Sequence, residues 1–270
     1  MIYKKIFLKD IDDRFKSESS FLRIYISERN ERVSLRPGLL ICPGGGYEFC
    51  SEREAEPVAF RFLSEGFNCF ILNYSVNEKY PIPHLDLALV FSYIRKHEKE
   101  FDLLTNSLSI MGFSAGGHLV GSYAYLFKEF AKDLSLEESI LKPRSIILAY
   151  PVISTDDEIT HLRTRQIITG GDKFLAEKLN IYKHIDKNYP PTFVWTTKED
   201  TSVPYQNSLM LIESLKTNNV KNQFVLYQSG FHGGSLVNYS CFKKGDIPEK
   251  MVGARDWVLA ATDFIFDVLK

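Results

Sequence analysis

The chain lacks the features that a disulfide scaffold, a membrane protein or a nucleic-acid binder would need. Its 270 residues include only four cysteines, Cys42, Cys50, Cys69 and Cys241. They form no C-x-x-C pair and no spacing typical of a disulfide framework. Cys42 and Cys69 lie inside apolar, strand-like runs and read as small core residues. Cys50 has no following His or Asn in a cysteine-enzyme pattern, so a thiol nucleophile is unsupported. This usage suits a reducing compartment, and the cytoplasm is the expected location. The formal net charge is −1, which leaves no excess for a nucleic-acid stripe or a patch against anionic lipid. The opening stretch MIYKKIFLKDIDDRF breaks its apolar pattern with charges every few residues, so neither a signal peptide nor a membrane span is expected there. There are no internal repeats and no G-x-x-x-x-G-K-[ST] phosphate loop. A dinucleotide fingerprint beginning at Gly44 fails, because the third glycine it needs at position 49 is Phe49. Neither a metal nor an organic cofactor is expected.

What is present is ordinary globular material, 44% apolar and 25% charged, with 20 Phe and 14 Tyr. That composition suits one large domain with a substantial core. Two alternating segments, 2–9 and 21–27, joined by the polar stretch 11–20, predict an antiparallel start. Beyond Arg36-Pro37-Gly38 strands and helices alternate. Strands are predicted at 38–42, 67–76, 107–114, 145–154, 192–197 and 222–228. Helices are predicted between them, one of them carried by Leu87, Val90, Phe91 and Ile94 at i, i+3, i+4, i+7. Ser51 and Glu54 have the spacing of a capping box, although Pro57 argues that regular helix starts nearer 55. A last helix at about 253–269 has Trp257, Ala261, Phe264, Ile265 and Val268 on one stripe. This grammar predicts a mostly parallel sheet with helices on both faces. The polar segment 155–190 falls out of rhythm and reads as a small lid-like insertion in a single domain spanning 1–270.

Glycines cluster in two places, CPGGG at 42–46 and G-F-S-A-G-G at 112–117, each directly after an apolar strand. In Gly112-Phe113-Ser114-Ala115-Gly116 the pattern is G-x-S-x-G. A serine hydroxyl attacks only when a base removes its proton, so it must be held out on a sharp turn between strand and helix. Glycines two before and two after relieve the crowding of such a turn, and the helix that follows offers free N–H groups to a developing anion. The five-residue pattern alone arises by chance in roughly one chain of this length in fifteen, so the strand–helix context carries the inference. Gly44-Gly45-Gly46 then suits a second source of N–H groups for an oxyanion.

A serine nucleophile also needs an acid and then a histidine on later strand ends. The strand 192–197 runs into Lys198-Glu199-Asp200, leaving two acids to choose between. The strand 222–228 runs into Ser229-Gly230-Phe231-His232-Gly233-Gly234, and His232 alone among six histidines has that setting. His84 and His97 bracket a helix, while His161 and His184 fall in the insertion and read as solvated. His118, one turn past Ser114, is the rival base, but it is aimed along its own helix and reads better as a packed core histidine. Tyr47, Phe113 and Trp195 are candidates for shaping a pocket, with Tyr47 and Phe113 preferred.

These stretches, CPGGGYEFCSEREAEPVA, FNCFILNYSV, IMGFSAGGHLV, PPTFVWTTKEDTSVPYQNSL and SGFHGG, resemble the α/β-hydrolase esterases of the acetyl esterase/lipase type, especially the acetylxylan-esterase-like sugar-ester hydrolases. The resemblance runs from about residue 37 to 236. It implies an α/β-hydrolase fold with Ser114 as nucleophile, His232 as base and Asp200, the residue directly before x-x-Val-Pro, as acid. It places the oxyanion hole at Gly45, Gly46 and Ala115. Lipase-like relatives carry His-Gly-Gly-Gly where this chain has Pro43 before its glycines, a departure that favours the sugar-ester branch. The implied activity is hydrolysis of a small acyl ester, acetyl above all, on a sugar or oligosaccharide. The alternatives are a serine peptidase of the same fold and a catalytically inactive ligand-binding homologue.

Overall fold

The computed structural model describes residues 1–270 apart from 16, 30, 33–34, 157, 244 and 247–248, together with the side chains at 249, 250 and 252. Residue 16 of the predicted polar turn and residue 157 of the predicted insertion therefore lie outside the described residues. One eight-stranded sheet runs through the molecule in the order β1-β2-β4-β3-β5-β6-β7-β8. β1 (Ile2–Phe7) pairs antiparallel with β2 (Phe21–Ile26), and β2 pairs antiparallel with β4 (Asn68–Asn73). From there β3 (Gly38–Cys42), β5 (Ser109–Phe113), β6 (Ile146–Ala149), β7 (Thr192–Thr197) and β8 (Asn222–Tyr227) are parallel to their neighbours.

The central strands are continuous apolar runs because both of their faces are covered. Leu39 and Ile41 point into one core with α1 (Glu56–Ser64) and α8 (Trp257–Leu269). Leu40 and Cys42 point into the other, with α2 (Ile82–Lys96), α3 (Ser114–Asp133), α4 (Glu138–Leu141) and α7 (Gln206–Thr217). The same alternation sends Ile147 and Ala149 to the first core and Ile146 and Leu148 to the second.

Two departures from the sequence reading have identifiable physical reasons. The run 145–154 keeps only four residues in the sheet. At Tyr150 the backbone turns to a φ of 37°, and Pro151 has no N–H to continue the ladder. The N–H of Val152 instead donates to the Ser114 carbonyl at 3.2 Å. The expected capping box also fails. Ser51 caps a short 3-10 turn without a side-chain bond, α1 starts at Glu56 with Pro57 in its first turn, and the Glu54 carboxylate turns elsewhere.

The segment 155–190 holds α5 (Leu162–Thr169), α6 (Lys173–Lys178) and a 3-10 turn at Ile181–Lys183. It is tied to the body: Leu179 and Ile181 are fully buried, and the Ile181 N–H donates to Ile153 O at 3.1 Å. Asn207 on α7 holds its entrance, accepting from the N–H groups of Ile153 and Ser154, both at 2.9 Å. Among the described residues no helix is long and apolar enough to cross a membrane.

Candidate active site

The carboxyl ends of β3, β5, β7 and β8 carry the loops that meet at the site, as expected for an α/β sheet. Ser114 stands where β5 passes directly into α3, with a φ of 51°, a strained value for a residue with a side chain. Its flanking glycines are explained by backbone contact. A Cβ on Gly112 would sit 2.2 Å from Gly116 O, and one on Gly116 would sit 2.2 Å from Cys42 O and 2.4 Å from Pro43 O. The G-x-S-x-G spacing is thus what lets the turn lie against the end of β3.

Three side chains converge on this turn. His232 Nε2 is 2.7 Å from Ser114 Oγ, and His232 Nδ1 is 2.6 Å from Asp200 Oδ2. The other Asp200 oxygen accepts from the backbone N–H groups of Ser202 and Val203, both at 2.9 Å. The Asp200 side chain has no exposure, whereas that of His232 keeps 21%. Because a carboxylate only accepts, Nδ1 carries the proton and Nε2 presents its lone pair to the hydroxyl. Glu199 is excluded from this line: its Oε2 takes the N–H of Gly230 at 3.3 Å. The rival His118 is fully buried. Its Nε2–H donates to Leu179 O at 3.1 Å, so its Nδ1 accepts from Tyr47 Oη at 3.0 Å. Burial pushes its pKa down to about 4. Burial likewise pushes the Cys50 thiol up to about 12, leaving it unreactive.

A cleft of about 270 Å³ opens over Ser114 and His232. Gly45 and Gly46, with φ values of 125° and 66°, form one wall, and Gly233 another. The N–H of the preceding Gly44 is already given to the Glu54 carboxylate at 2.9 Å. Ala115 is the second residue of α3, at the end where helix N–H groups lack intrahelical partners. The polar side chains of Glu48, Ser51, Arg53, Glu54, His161 and Ser202 line it together with the exposed apolar Phe49.

The two preferred pocket residues do not reach this cleft. Phe113 points to the α1/α8 core, as strand alternation requires, and packs edge-on against Trp257. Tyr47 sits at a φ of 64° with its ring turned into the opposite core against Tyr74 and His118. Trp195 is likewise fully buried. His161, in contrast, is a wall of the cleft rather than a solvated residue of the insertion. It caps α5, its Nδ1 facing the Thr164 N–H at 3.3 Å and the Thr164 hydroxyl at 2.8 Å. Arg163 on the same helix pairs with Glu48 at 2.7 Å, joining the insertion to the glycine loop. The signal for His161 was available only as its place at the start of a short helix beside a Thr. A roomier groove of about 630 Å³ lies at the opposite ends of the strands, around Arg95, Arg144, Pro190 and Lys221. Three of its cations are engaged within the protein, Arg95 by Glu98, Arg144 by the Val268 carbonyl and Lys221 by Asp267. Among the described residues no cluster of three or more His, Cys, Asp or Glu side chains could hold a metal ion.

A mostly parallel sheet with an antiparallel start, a strand–serine–helix turn, and an acid and a histidine on the next strand ends together define an α/β-hydrolase. The chain belongs to the BD-FAE family, whose model matches residues 22–215. It is 33% identical to endo-1,4-beta-xylanase B of Butyrivibrio fibrisolvens over 216 residues, 77% of this chain and 34% of that protein. It is 28% identical to an acetylxylan esterase of Xylanibacter ruminicola over 200 residues, 71% of this chain and 39% of that one. The chain thus spans well under half the length of these curated relatives. Among solved structures, the acetyl ester-xyloside bifunctional hydrolase of Caldicellulosiruptor lactoaceticus superposes with a TM-score of 0.85 at 27% identity, over 98% of this chain and 96% of that one. The carboxylesterase Cest-2923 of Lactobacillus plantarum gives 0.83 at 26% identity, over 99% and 98%.

Proposed function

We propose that the chain is a serine carboxylesterase that removes small acyl groups, acetyl foremost, from a hydroxyl-rich alcohol such as a sugar or oligosaccharide. The observation that carries this reading is the hydrogen-bonded line Asp200–His232–Ser114, with contacts of 2.6 and 2.7 Å, at the floor of a small polar cleft. Asp200, fixed by two backbone N–H groups, holds His232 in the tautomer that can take the Ser114 proton. Ser114 Oγ attacks the ester carbonyl, and the negative charge that develops on the carbonyl oxygen is met by the N–H groups of Ala115 and the Gly45–Gly46 turn. His232 then passes its proton to the leaving alkoxide. Water, activated by the same imidazole, releases the acyl group and restores Ser114.

Cleft size and lining support the substrate class. A volume of about 270 Å³ falls just below the usual range for drug-sized ligands, which favours a short acyl chain. Polar groups from Glu48, Arg53 and His161 suit an alcohol with several hydroxyls better than a lipid. The esterase and xylan-linked names of the relatives point the same way. The chain's four cysteines are all free, which supports a reducing, cytoplasmic setting. The segment 155–190 is proposed as an insertion of the single domain that builds the alcohol side of the cleft through His161.

The test is a series of p-nitrophenyl esters from acetate to octanoate alongside acetylated xylo-oligosaccharides, with Ser114→Ala as control. Turnover is expected to fall with acyl length and to drop by about 10⁴-fold or more in the variant. Turnover retained by Ser114→Ala would remove the nucleophile. A correctly folded wild type inert to every ester would favour the inactive binding homologue, and cleavage of amides alone the peptidase.

A further inference from the structure

We infer that Glu54 is a positioning residue for the oxyanion loop and the histidine loop together; this rests on the serine-esterase reading of the site. Its side chain is the carboxylate that the capping-box spacing failed to explain. Glu54 is only 3% exposed, yet it forms no salt bridge among the described residues. Burying a carboxylate is costly unless its oxygens are hydrogen-bonded, and both of these are. Oε2 accepts the Gly44 N–H at 2.9 Å, and Oε1 accepts the Tyr150 hydroxyl at 2.7 Å.

Each bond leads to a different part of the reaction centre. Gly44 begins the glycine turn and lies so close to the nucleophile that a Cβ on it would be 2.9 Å from Ser114 Cβ. By accepting the Gly44 N–H, Glu54 fixes the peptide immediately ahead of Gly45 and Gly46, whose N–H groups are proposed to meet the oxyanion. Tyr150 is held at a φ of 37° where its chain leaves β6. Its ring stands edge-on to His232 with centroids 5.0 Å apart, and its oxygen accepts the Ser235 N–H at 3.1 Å. The bonded sequence Gly44–Glu54–Tyr150–Ser235 therefore spans from one loop to the other, with Glu54 itself in the cleft wall. A donor shifted by a fraction of an ångström loses much of its effect on a transition state.

Two variants test this. Glu54→Gln keeps the shape but replaces one acceptor with an NH2 group, which must face either the Gly44 N–H or the Tyr150 hydroxyl. Tyr150→Phe keeps the ring against His232 and removes only the link. Activities are referred to active sites counted by the burst of p-nitrophenol on acetate esters, so misfolded protein does not contribute. The expected result is a fall in kcat of about 10- to 100-fold for Glu54→Gln and a smaller fall for Tyr150→Phe, with KM within about twofold. Inhibition by a trifluoromethyl ketone, which forms a tetrahedral adduct on a serine, should weaken in parallel. A merely structural role would lower the melting temperature and the number of titrated sites while leaving kcat per site intact, and that outcome in both variants overturns the inference. Ser114→Ala separates the two levels: if it stays active the esterase reading itself fails, whereas a dead Ser114→Ala beside unaffected Glu54 and Tyr150 variants sinks only the positioning role.

Discussion

Replacing Asp200 by Asn should disable the site through the choice of imidazole tautomer, with little change in shape. Oδ1 of Asp200 faces two backbone donors, Ser202 N and Val203 N at 2.9 Å each, and Oδ2 faces His232 Nδ1 at 2.6 Å. An asparagine amide must turn its oxygen to the two N–H groups, because its NH2 there would meet donors on both sides. That leaves the NH2 pointing at His232 Nδ1, which can only respond by offering a lone pair. The ring proton moves to Nε2, the atom 2.7 Å from Ser114 Oγ. A nitrogen that already holds its proton cannot accept the serine's. The analogous change in other triads costs about 10⁴ in kcat, or about 5 kcal/mol of transition-state stabilisation. The assay is p-nitrophenyl acetate hydrolysis at neutral pH, per folded enzyme. KM should hold, since the Asp200 side chain is fully buried beneath the imidazole and touches no substrate. A loss of less than about tenfold would refute both the tautomer argument and the role given to His232.

Gly116→Ala should destabilise the fold by about 3 kcal/mol or more in urea melts, since its Cβ would meet two backbone carbonyls at 2.2 and 2.4 Å that cannot rotate away. Acidification should weaken the protein through His118: burial holds its folded pKa at about 4, below the ordinary 6.5 of a histidine, so the unfolded chain binds more protons between those values. The stabilisation it gives is present above pH 6.5 and lost as pH falls through 4, amounting to about 3 kcal/mol. Urea melts at pH 7 and pH 4 should show a shallower drop for His118→Gln than for wild type. His161→Ala should raise KM for acetylated xylo-oligosaccharides about tenfold and barely alter p-nitrophenyl acetate turnover, because its ring lines the cleft where the further hydroxyls of a sugar alcohol can hydrogen-bond. Equal losses on both substrates would remove that role.

The fold and the convergence of the proposed reacting groups were legible because each is written in local grammar. An apolar run followed by a turn fixes where a strand ends, and Ser114, Asp200 and His232 all sit at such ends, Ser114 and His232 among glycines. The choice of Asp200 over Glu199 was not available from the residues themselves, since adjacent acids differ only in which way the loop turns. The family motif selected it, and the two bonds from Ser202 and Val203 give the reason. The cleft walls were less legible. Tyr47 and Phe113 are aromatics beside the right motifs, but strand alternation at Phe113 and a positive φ at Tyr47 turn both rings into the core. A period-two count along 109–113 would have assigned Phe113 to the α1/α8 core.

The remaining residues of the site escaped notice because each had a more ordinary local explanation. Glu54 follows Ser51 by three and so looks like a helix cap, yet Pro57 already placed the helix start beyond it, leaving the carboxylate without a partner in the turn. Tyr150 lies within ten residues that read as one strand, but Pro151 marked the point where no central strand could continue. His161 is separated from the glycine loop by more than a hundred residues, and the ion pair between Arg163 on the same short helix and Glu48 brings the two together at the site. Chemistry that depends on strand ends can be read from turns. On the proposed reading, specificity depends on how an irregular segment docks over them, and that segment is anchored by buried residues such as Leu179 and Ile181. Substitutions at those anchors should therefore change which alcohol is accepted before they change how fast the acyl bond breaks.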